Sequence, residues 1–559
     1  LRIFHLITMD PLTLTLFLIF GLLLVYHFVW KSMTHFQQLD LLHESPVPIL
    51  GNMAPSLFRR ISLFEHLQHL YSRFSQVKYF GFYNFATPVI VIRDTELITS
   101  IAVKNFDHFC DHRGFVDKEL DPLIGKNLFA LRGDHWREMR KLLSPVFTSS
   151  KMKTMFHLMD DCANSFTDYI AKDSKQGQVF NLKEIFGRYT NDVVATCSFG
   201  ISVDSMKNPQ NEFYTFAKET MNFMSNLSLK FIMGKNFPTL SKLLSIRLFS
   251  ENARRYFQRV IADTVRARKE KTTTTATDVT IIKCQRFFVT IPSSDVFQLI
   301  INLTNILSHY YKHLPCLSGI YRPDMIQLMM EAKDKDGNAL TIEEMTCEAF
   351  IFFLAGFDSV STLICFLAHE IAANPDVQAK LRIEIEEVLR KTDGKPTYES
   401  IKEMSYMDAV INETLRLYSL AAFLDRVCVK EFELPPATSG AKPVKVKPGD
   451  VIWFPLFAIQ RDPKYFFEPN KFDPDRFLNG EIPQSVHIPF GLGPRVCIGN
   501  RFALLKCKMV LFYLLWRCEL EPCDKTQIPI KFSTQSFILF PQNGFWLNFR
   551  ARYVQSNSE

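Results

Sequence analysis

The sequence lacks the patterns of several common functional sites. Its twelve cysteines never form a Cys-x-x-Cys pair, so the patterns of zinc sites and of thiol–disulfide centres are missing. No Gly-x-Gly-x-x-Gly fingerprint opens a helix, which excludes a dinucleotide site of the common type. There is no long Lys/Arg tract, and a net charge of +7 is small for 559 residues. We therefore do not expect nucleic acid as a partner.

The composition is that of a large globular protein with an unusual amount of phenylalanine. The chain is 47% apolar and 22% charged, which argues against a disordered or fibrous protein. Scattered cysteines are typical of a reducing compartment, where most of them serve as small buried apolar residues. The phenylalanine count of 52 indicates an interior with much aromatic surface, or an apolar ligand to surround.

An apolar run from Leu12 to Trp30 predicts a membrane anchor. Its 19 residues include no Asp, Glu, Lys or Arg, and as a helix they would span about 28 Å, close to the hydrocarbon thickness of a bilayer. The alternative is a cleaved signal peptide, which would have a shorter apolar region, a basic start and a small-residue cleavage site. Because Asp10 precedes this run, we predict an uncleaved anchor over residues 9–30.

The residues after this run predict its orientation. Lys31 and the Arg59-Arg60 pair follow the anchor, and the positive-inside rule places such residues in the cytoplasm. Residues 31–48 are predicted to be a linker, which Pro46 and Pro48 stiffen. No other segment is expected to span a membrane.

The rest of the chain predicts one large, mainly helical domain. Val77–Phe82 and Pro88–Ile92 have the composition of strands, and the periodicity from Thr95 to Lys271 is mostly helical. The capping box Thr341-Ile-Glu-Glu344 predicts the start of a helix of about 32 residues that ends near Ala373. The middle of this helix is apolar all round, so it must be buried. A long buried helix argues for one core rather than several small ones.

The segment Phe490-Gly-Leu-Gly-Pro-Arg-Val-Cys-Ile-Gly499 is the most informative in the chain. Its glycines allow sharp turns and close approach around Cys497, and a predicted apolar helix, Phe502–Leu515, follows. Backbone N–H groups and a helix N-terminus at this position stabilise a thiolate. A single thiolate held this way suits the axial ligation of haem iron. The alternative, an ordinary buried cysteine, does not explain the combined Phe-x-x-Gly-x-Arg-x-Cys-x-Gly pattern.

This loop resembles the haem-binding loop of the cytochrome P-450 monooxygenases. Four further segments match motifs of the same family: Trp136-Arg-Glu-Met-Arg140, Ala355-Gly-Phe-Asp-Ser359, Glu413-Thr-Leu-Arg416 and Phe472-Asp-Pro-Asp-Arg-Phe477. The resemblance covers about Pro46 to Leu547, and Asp121–Phe129 and Leu143–Thr148 are most similar to the insect microsomal branch close to the vertebrate drug-metabolising family. It implies a mainly α fold with smaller β-sheets (α+β), in which a single large haem domain, residues 49–550, follows an N-terminal transmembrane helix.

The resemblance also implies roles for individual residues. Cys497 would bind the haem iron, and Asp358 and Ser359 would be catalytic residues that relay protons, while Gly356 would let the long helix open. The alternative for Asp358 and Ser359 is a capped acid and a helix-bending serine, and most family members carry Thr where this chain has Ser359. The residues expected to bind haem are Trp136, Arg140, Arg426, Phe490, Arg495 and Gly499, with His112 or Arg113 as weaker candidates.

Two further groups complete the predicted site. Glu413 and Arg416 share a helix face and can pair, and Arg476 would complete a buried charge network that fixes the core around the haem loop. The sequence that follows Arg416, Leu-Tyr-Ser-Leu, replaces the family's usual apolar-Pro-Pro pattern, which leaves the shape of the substrate open there. The residues expected to line the substrate pocket are Phe115, Leu120, Phe213, Phe357, Phe423 and Phe537.

The function implied by the resemblance is that of a haem-thiolate monooxygenase. It would use haem b and insert one oxygen atom from O2 into apolar small molecules, either xenobiotic or endogenous. NADPH-cytochrome P-450 reductase, and cytochrome b5 as a second donor, would be the partners at the endoplasmic reticulum membrane, with the catalytic domain facing the cytoplasm. The alternatives are a non-enzymatic haem-binding sensor and a reductase-independent isomerase or peroxygenase.

One stretch fits neither the periodicity nor the family. Residues Thr272–Ser318, 47 in all, have neither an amphipathic repeat nor the polarity of a disordered linker. In the family, a residue equivalent to Lys271 would be followed directly by one equivalent to Gly319, so these residues are an extra segment. A second extra segment is the eight residues that precede Met9. We interpret both extras as translated non-coding sequence, an upstream leader and a retained intron. The alternative is a genuine surface insertion between two helices, which loops tolerate.

Overall fold

A computed structural model describes most of the chain. The described residues are 11–13, 15–16, 19–21, 23, 33–114, 118–119, 121–173, 178–225, 229–236, 238–285, 324–480, 482–536 and 538–552. Most of the predicted anchor and of the predicted insertion therefore lies outside the described residues, as do residues 1–10. The described residues between 11 and 23 are helical, and their large apolar side chains, such as Leu12 and Phe20, are exposed.

Helices make up most of the described fold. In chain order they are α1 His35–Gln38, α2 Ala54–Leu57, α3 Leu63–Arg73, α4 Thr95–Thr99, α5 Pro122–Gly125, α6 Gly133–Leu143, α7 Ser149–Asp173, α8 Leu182–Val194, α9 Glu212–Ser225, α10 Leu229–Asn236, α11 Pro238–Leu243, α12 Glu251–Gln285, α13 Met325–Glu331, α14 Ile342–Ala373, α15 Pro375–Lys391, α16 Tyr398–Lys402, α17 Ser405–Leu417, α18 Leu456–Ile459, α19 Arg476–Asn479 and α20 Asn500–Arg517. Short 3-10 or π turns cover Ser100–Lys104, Phe106–His108, Ser144–Phe147, Ala195–Phe199 and Gly493–Arg495.

The strands form three small sheets beside the helices. They are β1 Tyr79–Asn84, β2 Thr87–Ile92, β3 Val179–Asn181, β4 Leu424–Val427, β5 Phe432–Leu434, β6 Val444–Val446, β7 Val451–Phe454, β8 Cys518–Glu521 and β9 Trp546–Ala551. The largest sheet has the order β1-β2-β7-β4, the second β3-β9-β8 and the third β5-β6. In the largest sheet β2 and β7 run parallel, with Val89 opposite Val451, while both outer pairs are antiparallel. The predicted mixture of a large helical part and small sheets is confirmed.

Helix α14 is the centre of the domain, and we call it the central helix. It begins with the predicted capping box: the Thr341 side chain accepts a hydrogen bond from the Glu344 N–H, and the Glu344 carboxylate accepts one from the Thr341 N–H. It ends at Ala373, because Pro375 follows Asn374 and opens the next helix. By length and hydropathy this helix could cross a membrane, and it was not expected to do so; most of it is buried in the domain core.

Two boundaries differ from the prediction. The first strand begins at Tyr79 rather than Val77, because its partner strand ends at Ile92 and leaves Val77 without an opposite residue. The chain turns there because the Asp94 side chain accepts a hydrogen bond from the Leu97 N–H and caps α4. Part of the predicted linker is also packed: Phe36 of α1 is buried against the β1 region, and the N–H of this residue donates to the Tyr83 hydroxyl oxygen.

Candidate functional site

The cysteine loop is a tight turn that ends at the start of α20. The Cys497 N–H donates to the Phe490 carbonyl oxygen at 2.8 Å, which closes the loop around the cysteine. Gly493 has a φ of +74°, and a Cβ there would lie 2.0 Å from the Ala102 carbonyl oxygen, so only glycine fits. Helix α20 begins directly after Gly499, at Asn500. The glycines therefore let the backbone approach its neighbours closely and fix Cys497 at a helix start.

Cys497 is the chemically distinctive group of this loop. Its side chain is surface-accessible, yet it lies deep in the protein, where burial raises the pKa of its thiol. The Gly499 N–H donates to Cys497, and the charge of Arg140 favours the thiolate; both act to lower that pKa. The thiol is thus accessible although protein atoms surround it, and we call the space beside Cys497 the cleft. The loop thus presents one sulfur, with a backbone donor, to the inside of the molecule.

The central helix faces the same interior. Ala355 is exposed and Ser359 is half-buried in a stretch of helix whose other neighbours are mostly buried. The Ser359 hydroxyl donates to the Ala355 carbonyl oxygen one turn earlier. Phe147 links the two segments: its ring lies 5.2 Å from that of Phe352 on the central helix and would be 3.8 Å from a Cβ on Gly499. Only about one aromatic ring separates the cysteine loop from the central helix.

Asp358 points to another side of the central helix, toward α8. Its carboxylate accepts a hydrogen bond from Lys183 Nζ at 2.7 Å. Lys183 also donates to the hydroxyls of Ser361 and Thr362, at 2.8 and 2.6 Å. The Lys183 side chain is 26% exposed and that of Asp358 16%, so this polar group leads from the solvent to the helix turn that carries Ser359.

Arg495 is buried against Trp136. The Arg495 guanidinium lies 3.9 Å from the centre of the Trp136 ring, a cation–π contact. It donates to the carbonyl oxygens of Cys110 and Leu131 at 2.8 and 2.9 Å, and to the Asp111 carboxylate at 3.3 Å. Burial lowers the pKa of Arg495 to about 10, and Asp111 acts in the opposite direction. Two of the predicted haem-binding residues therefore contact each other directly.

Arg426 is a second buried cation beside the cysteine loop. It donates to the carbonyl oxygens of Asp425 and of Leu492, which lies within the loop. Its Nε is buried and has no hydrogen-bond partner among the described residues. The neighbouring Asp425 carboxylate accepts from His112 Nδ1 at 2.9 Å and from the Arg113 N–H at 2.6 Å. Burial lowers the pKa of Arg426 to about 10, so it remains a cation that still has a donor to offer an anion.

The predicted three-member charge network is assembled in the core. Both carboxylate oxygens of Glu413 accept from Arg416, at 2.7 and 2.8 Å, and one also accepts from Arg476 Nε at 3.1 Å. Glu413 and Arg416 are fully buried. Arg416 also donates to the carbonyl oxygens of Gln460, Pro469 and Lys471, so this network holds the loop before α19 against α17.

Three of the six predicted pocket residues lie in the described part of the chain. Phe213 is buried in an aromatic cluster with Phe199, Phe257 and Phe353, and Phe357 lies at the edge of that cluster. The Phe423 ring stacks on Trp453 with its centre 3.6 Å away. The other three candidates lie outside the described residues; they are Phe115, Leu120 and Phe537.

Three polar contacts with the central helix were not predicted from the sequence. Lys183 and Thr190 of α8 and Lys506 of α20 each donate to it. A buried lysine in an otherwise apolar stretch of α20 was the available signal for Lys506.

The chain is similar to cytochrome P450 proteins over nearly its whole length. A family model described as "Cytochrome P450" matches residues 43–549. Cytochrome P450 9e2 of Blattella germanica is 40% identical, and the match covers 91% of this chain and 92% of that protein. A probable cytochrome P450 9f2 of Drosophila melanogaster is 35% identical, over 97% and 99% of the two chains. Cytochrome P450 6k1 of Blattella germanica is 31% identical, over 92% and 93%.

The residues around the cleft suit the haem that this family binds. Cys497 offers a thiol with a backbone donor at its sulfur, the donor set of a haem-thiolate site. Arg426 offers an unpartnered buried Nε of the kind that a haem propionate would satisfy. Membership of the family implies haem-thiolate monooxygenase activity. The chain belongs to the cytochrome P450 family, with haem as its cofactor.

Proposed function

We propose that this protein is a membrane-anchored monooxygenase that inserts one atom of O2 into apolar small molecules, with electrons from NADPH delivered by a separate reductase. The observation that carries the proposal is the accessible Cys497 sulfur, which has the Gly499 N–H as a backbone donor and lies in a loop that Phe147 connects to the central helix. Haem bound to such a thiolate supplies the oxidising chemistry, because the ligand pushes electron density toward the iron and favours O–O cleavage.

The side chains around the cleft would position the cofactor. Cys497 is the proposed iron ligand, and Arg426, with its free Nε, is the strongest propionate partner in the described part of the chain. Arg140, whose charge already favours the Cys497 thiolate, would neutralise a second carboxylate. Arg495 already has three acceptors, so we propose that it holds Trp136 in place and contributes mainly its charge.

Protons would reach the cleft through the central helix. Lys183 fixes the Asp358 carboxylate, and the partly exposed Lys183 end of this pair gives it access to water for proton exchange. Ser359 lies one residue further and presents its hydroxyl toward the accessible face of the helix. We propose that Asp358, ordered water and Ser359 pass protons in that order, with Lys183 as the positioning residue.

The sequence supports our proposals for the substrate, the partners and the location. The many phenylalanines, Phe357 and Phe423 among them, suit a lipophilic substrate, either xenobiotic or endogenous. The absence of a dinucleotide fingerprint favours an external donor, NADPH-cytochrome P-450 reductase, with cytochrome b5 as a second one. The apolar run Leu12–Trp30 would anchor the protein in the endoplasmic reticulum membrane with its catalytic domain in the cytoplasm.

A reconstitution experiment tests the proposal. The reduced, carbon monoxide-bound protein should show the absorption band of a thiolate-ligated haem, and Cys497→Ser should lose it while haem is still bound. The wild type should consume NADPH and release oxidised product only when reductase is added. A thiolate band without NADPH-dependent turnover would favour the sensor, and turnover that needs peroxide but no reductase would favour the peroxygenase. The absence of a thiolate band in the wild type would refute the proposal.

A further inference from the structure

Three consecutive carbonyls of the central helix receive hydrogen bonds from side chains outside the helix. Lys506 Nζ donates to Gly356 O at 2.7 Å, the Thr190 hydroxyl to Phe357 O at 3.2 Å, and Lys183 Nζ to Asp358 O at 3.2 Å. In a continuous α-helix each of these oxygens already accepts from the N–H four residues later. Additional donors matter where that intrahelical bond is broken for part of the time, because they keep the freed carbonyl satisfied.

Lys506 is the unusual member of this set. It is fully buried, and its only hydrogen-bond acceptors in the described residues are the Gly356 and Thr190 carbonyl oxygens. Lys508, two residues further along α20, is also buried, but it has a carboxylate partner, Asp408, at 2.8 Å. A buried ammonium without a carboxylate is costly, so stability does not explain the presence of Lys506. Its contact with Gly356 points to a role at the site.

We propose that Lys506 is a positioning residue that holds the Gly356 carbonyl and thereby favours the opening of the central helix beside the haem. The inference rests on the proposed function and on the expectation, implied by the family resemblance, that Gly356 lets this helix open. In the closed helix the Val360 N–H satisfies Gly356 O, so the lysine adds little. In the opened helix that bond is lost, and without Lys506 a buried acceptor would have no partner. Lys506 therefore stabilises the open form more than the closed one.

The charge of Lys506 makes this effect dependent on pH. Burial lowers the pKa of Lys506 to about 7, and nearby thiols oppose that shift. The ammonium, the stronger donor, is therefore present below about pH 7 and is lost as the pH rises through that value. Opening should decrease in the same direction. The groups that face Lys506 or adjoin it are Cys507, Cys197 and Cys162, the Tyr189 hydroxyl, and the Lys183–Asp358 pair one turn further along the central helix.

Hydrogen exchange of the Val360 amide in the resting holoenzyme tests the inference. In the wild type, exchange corrected for its intrinsic rate should slow about fivefold between about pH 6 and pH 8, the difference expected between a charged and a neutral donor. Lys506→Met should be slow at both pH values and independent of pH. This variant should fold, because an apolar chain of similar length replaces an unpaired buried charge. The matched control, Lys508→Met, should keep the wild-type pH dependence.

Three results would overturn the inference. They are wild-type behaviour in Lys506→Met, a flat profile in the wild type, and equal effects of the Lys506 and Lys508 substitutions. If Lys506→Met loses haem, Lys506→Gln takes its place; it keeps an uncharged donor and should also give a flat profile. The exchange needs no turnover, and the carbon monoxide spectrum of the same samples tests thiolate ligation. If the wild type shows the thiolate band but its exchange does not depend on pH, the role of Lys506 is refuted and the proposed function stands. If the thiolate band is missing, the proposed function itself is refuted.

Discussion

Deletion of residues 272–318 should leave a folded, haem-binding protein. The two sides of this stretch are joined without it: Arg268 of α12 donates through both Nη atoms to the Asp324 carboxylate, at 2.8 and 2.6 Å. Asp324 is fully buried, and it also caps α13 by accepting from the Gln327 N–H. Gly200 packs directly against this pair, since a Cβ there would lie 2.2 Å from the Arg268 guanidinium. The ion pair therefore fixes both ends of the stretch in the core.

The loop length sets the expected size of the effect. The chain from Arg268 to Asp324 spans about 56 residues, and deletion shortens it to about 9. Closing the shorter loop costs less entropy, by about 1.6 kcal/mol from the logarithm of the length ratio. The deletion also removes the end of α12, which runs to Gln285. We expect a variant whose free energy of unfolding is unchanged or about 1–2 kcal/mol higher.

Haem content, the reduced carbon monoxide spectrum and denaturant unfolding measure the outcome. The ion pair supplies its own control. Arg268→Met should destabilise the full chain and the deletion variant by about 3–5 kcal/mol, because the fully buried Asp324 carboxylate loses its bidentate guanidinium partner. Arg266→Met, which removes an exposed pair with Asp263 on the same helix, should cost less than about 1 kcal/mol. Loss of haem binding on deletion would refute the reasoning and show that the stretch is a structural part of the domain.

Three further substitutions give separate tests. Glu413→Gln should lower the free energy of unfolding by about 3–5 kcal/mol, because two arginines lose a buried partner. The control Glu468→Gln, in an exposed pair, should cost less than about 1 kcal/mol, and equal losses would contradict the network. Ser359→Thr should raise the ratio of product to NADPH consumed, because the added methyl restricts the hydroxyl; an unchanged ratio would oppose this role. Burial lowers the pKa of His369 from 6.5 to about 4, so this side chain stays neutral in the fold. Between pH 6.5 and pH 4 the unfolded chain gains a proton that the folded one resists, so the wild type should lose about 3 kcal/mol more stability than His369→Gln. Parallel urea titrations at the two pH values would measure this, and identical falls would show that the histidine is protonated in the fold.

The sequence predicts the features whose signal lies within one helix or one loop. The capping box at Thr341 and the pairing of Glu413 with Arg416 follow from spacings of three residues, and both are present in the fold. The helix after the cysteine loop was predicted as Phe502–Leu515 and extends to Asn500–Arg517. Its ends carry polar residues, which a pattern of apolar positions does not include.

Contacts between distant segments could not be predicted in this way. Asp358 was expected to relay protons or, in the alternative, to be a capped acid, and its partner Lys183 is 175 residues earlier in the chain. The Nε of Arg426 is buried and has no hydrogen-bond partner in the described part of the chain, while Nη2 of the same side chain donates to the distant Leu492 carbonyl oxygen. Nothing in the local sequence of Lys506 indicates that it reaches Gly356, 150 residues away. These pairings depend on how helices pack, which one sequence does not reveal.

Helix α20 connects the two sides of the site. Its first turn carries the end of the cysteine loop, and Lys506 lies seven residues after Gly499, about 10 Å along the axis. Because most of this helix is buried and protein interiors are close-packed, we expect a shift at one end to be transmitted to the other. We therefore expect that a displacement of the start of α20 would also change the contact of Lys506 with the Gly356 carbonyl. If Cys497 binds the iron as proposed, the position of the ligand and the proposed opening of the central helix would then be coupled.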